Sequence, residues 1–457
     1  MKPHLSTAKS MDRARLCALM QREERRFVED HPKSNALFQR AQQSLLRGVP
    51  MNWMAKWAGG FPVFVAEARG AHFTDVDGRE YVDLCLGDSG AMTGHAPEPA
   101  LRALEEQARR GITFMLPTEN AIWVAEELKR RFGLPYWQFC LTATDANRFS
   151  IRLAREITQR KLILVFNYCF HGTVDETFIS LKNGEPRLRR GNLGAPIDPA
   201  ITTRVIEFND LDALDRTLAN RDVACVLMEP VMTNAGIVHP EPGYHDSLRK
   251  LTRKYGTLLV IDETHTICAG PSGYTGEQKL DPDFFVLGKP VASGLPAATY
   301  GFSEEIASRV LNRAKADESD TSGIGGTLAG NALSLAVMRA TLEHILTPAA
   351  FEYMIALSKR FAQGVEEAIR EFGVSWHVSR LGCRAEYLFS NTPPRNGSQA
   401  IANMDFELSR FMHLYALNRN ILLTPFHNMA LMSPATTQTD IDQHTQAFRD
   451  ALNDLTA

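Results

Sequence analysis

The sequence predicts an α/β fold built on a mostly parallel sheet. Two observations carry this. Short, continuously apolar segments recur through the middle of the chain, at 161–166, 224–228, 258–261 and 284–287. Amphipathic helical stretches lie before and between them, at 99–111, 119–132, 146–159 and 242–255. A strand that is apolar throughout is buried on both faces, and helices covering both faces are what a parallel sheet requires. A third observation concerns position. Polar residues cluster just after the apolar strands, where sheets of this kind bind their ligands.

Taken in order, residues 1–50 read as helix, with mixed charge and repeated Leu, Ala and Gln, until Gly48 and Pro50 break the pattern. Between 61 and 84, Asp77-Gly78 separates two alternating apolar segments, which is a hairpin signal. Helix and strand alternate from about residue 98. Helices return at 331–346 and 349–372, and a short α+β ending runs through 386–389 and 421–424. This divides the chain into an N-terminal segment of a small domain (1–70), a large domain (71–327) and a C-terminal small domain (328–457).

A chain of 457 residues is long enough for two or three lobes around a large core. Its net charge of −3 argues against nucleic acid or an anionic membrane as partner. Seven cysteines, an odd number without a C-x-x-C pair, read as reduced thiols of a cytoplasmic protein with no metal site. The N-terminus has no apolar signal core, and no apolar run is long enough to cross a bilayer.

Four segments carry candidate chemistry. Thr142-Ala143-Thr144-Asp145-Ala146-Asn147 opens a helix, where free N–H groups and the dipole favour a phosphate; a plain N-cap by Thr144 would look the same. Asp262 ends the apolar run 258–261, where a carboxylate needs a cationic partner such as a protonated pyridine nitrogen, or else bonds to nearby backbone. Lys289 follows the apolar run 284–287 in a loop bounded by Gly288 and Pro290. Burial there would lower its pKa and make it nucleophilic toward an aldehyde; the alternative is a surface lysine. Gly325-Gly326-Thr327-Leu328-Ala329-Gly330-Asn331 is a glycine-rich turn into a helix, suited to phosphate or simply a turn.

With Phe170-His171-Gly172 and Glu229-Pro230, these motifs occur in an order that resembles the class III aminotransferases. These are fold-type I enzymes that use pyridoxal 5'-phosphate (PLP), a group that includes glutamate-1-semialdehyde aminomutase and ω-amine transaminases. The resemblance runs from about Phe61 to Asp442, through FTDVDGREYVDL, GHAPEP, IRLAR and TDID. It implies a large domain with a mostly parallel seven-stranded sheet, and a smaller α+β domain from the N- and C-terminal parts.

The resemblance also implies roles. Lys289 matches the lysine that holds PLP and later shuttles a proton. Asp262 matches the partner of the pyridine nitrogen, and Phe170 the aromatic that stacks on the ring. Ala143 and Thr144 fall in the phosphate turn. Thr327 matches a threonine that reaches the neighbouring subunit's phosphate, so a homodimer with shared sites, or a tetramer of such dimers, is implied. Asn234 resembles an asparagine near the ring hydroxyl, and Glu229 supports that network. His171 beside Phe170 reads as scaffold. There are departures too. Ala143 stands where glycine is usual and Thr264 where an apolar residue is usual. His265-Thr266-Ile267-Cys268-Ala269 replaces the usual Thr-Gly-Phe-Arg ending.

The leading expectation is a transaminase that moves an amino group from an amine or amino acid to a keto acid or aldehyde. Aminomutase and racemase chemistry use the same machinery and stand as alternatives. A non-catalytic protein of this fold is disfavoured because Lys289, Asp262 and both phosphate turns are present. For substrate contact the candidates are Asp88, Trp53, Trp57, Arg384 and His427. Asp88 either faces the substrate or caps the turn 87–90. Trp53, Met54 and Trp57 either wall the pocket or pack between subunits. Arg384 either holds a substrate carboxylate or is an ordinary salt-bridge partner. The loop carrying His427 lacks an arginine that some relatives have there.

Overall fold

A computed structural model describes residues 12–189, 193–194, 197–316, 323–425 and 427–457. Three strands come first: β1 (Val65–Arg69), β2 (His72–Asp75) and β3 (Glu80–Asp83). The central region supplies β4 (Tyr136–Cys140), β5 (Leu162–Phe166), β6 (Ile179–Lys182), β7 (Glu185–Leu188), β8 (Thr203–Ile206), β9 (Val223–Met228), β10 (Leu258–Asp262), β11 (Phe284–Leu287) and β12 (Ala298–Phe302). The C-terminal region adds β13 (His377–Leu381), β14 (Arg384–Leu388), β15 (Ile421–Leu422) and β16 (Met429–Leu431).

The large sheet has seven strands in the order β4-β12-β11-β10-β9-β5-β8. Strands β5, β9, β10, β11 and β12 are buried at every residue, as two-sided helical cover demands. The pairs β10–β11, β9–β10, β5–β9 and β5–β8 are parallel, while β12 runs antiparallel to both neighbours. Chain length explains the exception. Only residues 288–297 join β11 to β12, and a parallel crossover needs a dozen or more. That short connection holds Lys289.

The expected helix at 146–159 begins earlier, at Ala143, and ends at Thr158. Its N-cap is Thr142 rather than Thr144: Thr142 Oγ1 accepts from the Asp145 N–H at 3.2 Å, and Asp145 reciprocates at the Thr142 N–H. Thr144 is therefore left free for another contact. The N-terminal stretch is two helices, Arg13–Asp30 and Pro32–Ala41, rather than one. Pro32 starts the second helix, and buried His31 at the junction bonds Tyr81 Oη at 2.6 Å. Residues 1–11 of that expected helix lie outside the described residues.

The two chain ends build one small domain. Buried Glu23, in the first helix, accepts from Asn418 Nδ2 at 2.9 Å and from Arg419 at 3.1 Å. Strand β3 pairs in parallel with β15, closing a sheet in the order β1-β2-β3-β15. That sheet straddles residue 70, because Arg69 of β1 pairs with His72 of β2. A second sheet, β13-β14-β16, packs on the helix Pro348–Phe372. Among the described residues no helix is long and apolar enough to cross a membrane.

Gly382, in the turn between β13 and β14, has φ +54°, and a Cβ there would collide with the carbonyl oxygen of Cys268. Gly78 has φ +89° in open space. Gly78→Ala should therefore cost about 1 kcal/mol of conformational strain. Gly382→Ala should cost about 2–4 kcal/mol, because overpacking adds to the same strain. Thermal melts of the two variants should place Gly382→Ala clearly lower; equal melting temperatures would contradict the close approach.

Candidate active site

Asp262 pairs with Val286 in the parallel β10–β11 ladder, so both strands leave the sheet at the same edge. Asp262 is the last residue of β10, and Lys289 follows β11 by two residues. The two candidate residues thus share one edge of the sheet.

Asp262 is only 3% exposed. Its Oδ2 accepts from His171 Nδ1 at 2.9 Å and from Asn147 Nδ2 at 2.8 Å, and its Oδ1 accepts from the Thr264 N–H at 3.1 Å. Burial pushes its pKa up, but the bond and charge of His171, with the bonds from Thr264 and Asn147, together outweigh burial and hold the carboxyl below its ordinary range. For His171, burial pushes downward. Cys169 and the Asp262 bond outweigh it and raise the imidazole to about 10. The pair is a buried ion pair, which is tolerable only because hydrogen bonds surround it.

The helix Ala143–Thr158 aims its N-terminus at this region. Gly288 sits so close to it that a Cβ would lie 3.0 Å from Ala143 Cβ. Gly172, at φ +77°, leaves no room for a side chain beside Thr144. The free Thr144 Oγ1 accepts from the Thr173 N–H at 3.0 Å. Ala143 and Thr144 therefore stand between the Lys289 turn and the loop that carries Phe170 and His171.

Lys289 Nζ lies 2.9 Å from Asp88 Oδ2 and 2.7 Å from His265 Nε2, and it is not a lone surface lysine. The Phe170 ring is half-buried, with Trp53 at 5.3 Å between centroids. Glu229 is buried and accepts from Thr233 Oγ1; burial raises its pKa above the ordinary value. Asn234 Nδ2 donates to Tyr168 O at 2.9 Å. Thr264 is buried with a free hydroxyl.

The substrate candidates divide. Asp88 and Trp53 join the site through Lys289 and Phe170. Trp57 is half-buried. Arg384 is 1% exposed, donates to Thr233 O at 2.9 Å and pairs with Glu386 at 3.5 Å, while its Nε and Nη1 are buried without a hydrogen-bond partner among the described residues. His427 Nδ1 lies 3.4 Å from Glu386 Oε1. Thr327 is exposed, and no hydrogen bond joins it to Asp262, Lys289 or their partners among the described residues. Three contributors have no role assigned from the sequence, Asn147, Ser89 and Thr233, and His265 figures there only as part of a departure from the usual pattern. Asn147 stood inside the phosphate motif, one helical turn past Ala143, and that spacing was a usable signal. Ser89 and His265 are brought in by contacts remote in sequence, whereas Thr233 bonds Glu229 four residues away.

Several buried polar atoms in this group have no partner: Asn147 Oδ1, His171 Nε2, Thr264 Oγ1, Glu229 Oε1 and Asp88 Oδ1. Unpaired buried polar atoms are costly, and a cluster of them marks a polar ligand. A phosphorylated pyridine aldehyde fits the set: Asp262 for a ring nitrogen, Phe170 for a ring face, the helix N-terminus for a phosphate and Lys289 for an aldehyde. Among the described residues no His, Cys, Asp and Glu cluster could hold a metal ion.

Fold and site together define a PLP-dependent enzyme of fold type I. The chain belongs to the class III aminotransferases: the family described as Aminotransferase class-III matches residues 53–452. Glutamate-1-semialdehyde 2,1-aminomutase of Sorangium cellulosum (strain So ce56) is 34% identical over 428 residues, covering 92% of this chain and 96% of that one. The crystal structure of a glutamate-1-semialdehyde-aminomutase from Pseudomonas aeruginosa PAO1 is 48% identical, with TM-score 0.95, covering 97% of this chain and 99% of that one. A lysine-to-alanine variant of that protein was solved in complex with PMP. An omega-transaminase from Sphaerobacter thermophilus is 27% identical, with TM-score 0.84, covering 93% and 98%.

His171 has a raised pKa, so its ion pair with Asp262 contributes stability that is complete below the unfolded value of 6.5 and is lost as pH rises through about 10. In the cofactor-free protein, the His171 ring resonance followed by NMR should titrate far above neutrality. Asp262→Asn should lower its midpoint by at least about one unit, or roughly 1.4 kcal/mol of lost interaction. An unmoved midpoint would show that the two side chains are not paired.

Proposed function

We propose that this chain is an aminomutase, which moves an amino group between adjacent carbons of one small amino aldehyde. Glutamate-1-semialdehyde is the first substrate to test. The observation that carries this reading is the full-length likeness to glutamate-1-semialdehyde aminomutases, at 48% identity for one solved structure and 34% for one relative. It favours the alternative reading of the sequence over transfer between two molecules, which was the leading expectation. Transfer between molecules remains the second reading, supported by the 27% identical omega-transaminase.

PLP bound here supplies an electrophilic aldehyde and a ring that withdraws electrons. The chain's own groups do the rest. Asp262 holds its charge opposite the ring nitrogen, and His171 and Asn147 hold Asp262 in place. Ala143 and Thr144, at the helix N-terminus, receive the phosphate. Phe170, backed by Trp53, would cover a ring face, and Asn234 and Glu229 would lie by the ring hydroxyl. Lys289 Nζ takes a proton from one substrate carbon and returns it at another position.

The same reading includes a homodimer with shared sites. It is supported by the exposure of Thr327 and its neighbour Leu328, and by exposed apolar residues Ile112, Phe114, Met115 and Leu116 in a segment whose Ile112 carbonyl accepts from the Leu333 N–H. Thr327→Ala should therefore weaken PLP retention in gel filtration, although Thr327 touches nothing in its own site. Unchanged retention would argue against a shared site.

The function itself is tested by incubating loaded enzyme with 4-amino-5-oxopentanoate alone, adding neither amine nor keto acid. An aminomutase converts it catalytically to 5-amino-4-oxopentanoate, seen by chromatography. Turnover that stops at one equivalent and resumes only with a second carbonyl compound would instead establish the transaminase.

A further inference from the structure

Asp88 sits in a turn that the backbone resists making. Leu86, Gly87, Asp88 and Ser89 have φ values of 46°, 58°, 52° and 78°, four left-handed residues in a row. Three of them carry side chains, for which this region is disfavoured. The turn is held nevertheless. Asp83 Oδ1 accepts from the N–H groups of Cys85 at 2.8 Å and Leu86 at 2.7 Å, while its Oδ2 meets His95 Nε2 at 2.7 Å. Backbone bonds from Asp88 N to Cys85 O and from Ala91 N to Leu86 O close it. Strain of this kind persists where the surroundings over-determine it, and it gathers at working sites.

What the turn delivers is two side chains aimed at one place. Asp88 Oδ2 meets Lys289 Nζ at 2.9 Å, and Ser89 Oγ meets His265 Nδ1 at 3.2 Å. His265 Nε2 in turn meets Lys289 Nζ at 2.7 Å. Burial, and then the Lys289 charge, lower the His265 pKa to about 3, so the imidazole is neutral. A neutral imidazole has one donor and one acceptor nitrogen. While Nζ is an ammonium it can only donate, so Nε2 accepts from it and Nδ1–H faces Ser89 Oγ. For Asp88, burial acts to raise the pKa, and the charge and hydrogen bond of Lys289 lead the contributions that outweigh it, so Asp88 stays a carboxylate. Among the described residues, the charged and titratable groups facing this pair are Lys289, Arg384, His427 and Cys85; Glu386 lies behind Arg384 and His427.

We propose that Asp88 and His265, with Ser89 bonded to the far nitrogen of His265, hold and aim the proton on Lys289. The inference rests on Lys289 being the residue that binds PLP and moves the proton. Neutral Nζ accepts one proton from a substrate carbon and becomes an ammonium. Asp88 balances the new positive charge without accepting the proton. His265 accepts one of the three N–H bonds and stays neutral, so the remaining donors point toward the substrate. The same proton then leaves Nζ for the second position, and Nζ returns to the neutral amine. Neither Asp88 nor His265 changes its protonation state in this cycle. A lysine so held keeps its proton between two positions instead of exchanging it with water.

The test titrates the visible absorption band of the PLP-loaded enzyme against pH. An anion beside Nζ favours the protonated nitrogen, so Asp88→Asn should lower the pH of the spectral change by about one unit, a tenfold change. Asp88→Glu should restore most of it, and His265→Phe should shift it where His265→Asn, which keeps an acceptor, does not. A second measurement needs no cofactor. In the apoenzyme, the pH profile of Lys289 acylation by an amine-reactive ester, read by peptide mass spectrometry, should move downward in Asp88→Asn. Profiles that coincide with wild type in both measurements would overturn the proposal. A wild-type protein with no visible band would instead sink the PLP reading, and the acylation profile would still decide whether Asp88 controls Lys289.

Discussion

A carboxylate buried where no water reaches it sets the terms for the whole site. Asp262 ends a strand that is buried at every residue, and an ionised group there is stable only if cations and donors converge on it. Each partner drags its own element into register. Asn147 brings the helix Ala143–Thr158, and His171 brings the loop after β5. The β10–β11 ladder brings the Lys289 turn. One electrostatic demand thus assembles groups from four places in the chain at one edge of the sheet.

Asp88 solves a different problem. Its side chain is 28% exposed, and its partner is the lysine itself. The two carboxylates therefore work in contrasting surroundings, as paired titratable groups in active sites commonly do. Asp262 faces a histidine that it keeps charged. Asp88 faces a lysine whose neighbouring histidine is kept neutral. Two histidines at the same site, one raised and one lowered, show how far local contacts outweigh the intrinsic imidazole.

The elements that were legible in the sequence are those governed by local rules. Continuous apolar runs gave β5, β9, β10 and β11, and a polar residue closing such a run exposed Asp262 and Lys289. The antiparallel strand β12 escaped because its segment, Ala-Thr-Tyr-Gly-Phe, is short and mixed, and only the pairing with β11 and β4 makes it a strand. The break at His31 escaped because helical periodicity continues on both sides of it. The pairing of His265 with Ser89 escaped for a deeper reason. They stand 176 residues apart, and nothing in the spacing of either announces the other. Asp88 drew notice from its turn, but its partner Lys289 lies 201 residues away. Thr142 rather than Thr144 as the N-cap shows the limit of motif reading: the residue three before an acidic partner wins the cap, and the next hydroxyl is released to the loop.

The departures from the family pattern become intelligible once these contacts are in place. Ala143 is the first residue of a helix, so glycine's freedom is not needed there; the glycine that is needed stands opposite, at Gly288, where a Cβ would come within 3.0 Å of Ala143. The segment after Asp262 turns into a short 3-10 helix, Thr266–Ala269, secured by Glu263, which accepts from Thr266 Oγ1 at 2.6 Å and from the Tyr274 N–H at 3.1 Å. Cys268 then offers its carbonyl to the Cys383 N–H at 2.9 Å, tying this segment to the C-terminal sheet next to Arg384. Anchored at both ends, the segment has one side chain directed at the lysine, and that side chain is His265. Among the departures, His265 is the one whose side chain meets Lys289 Nζ.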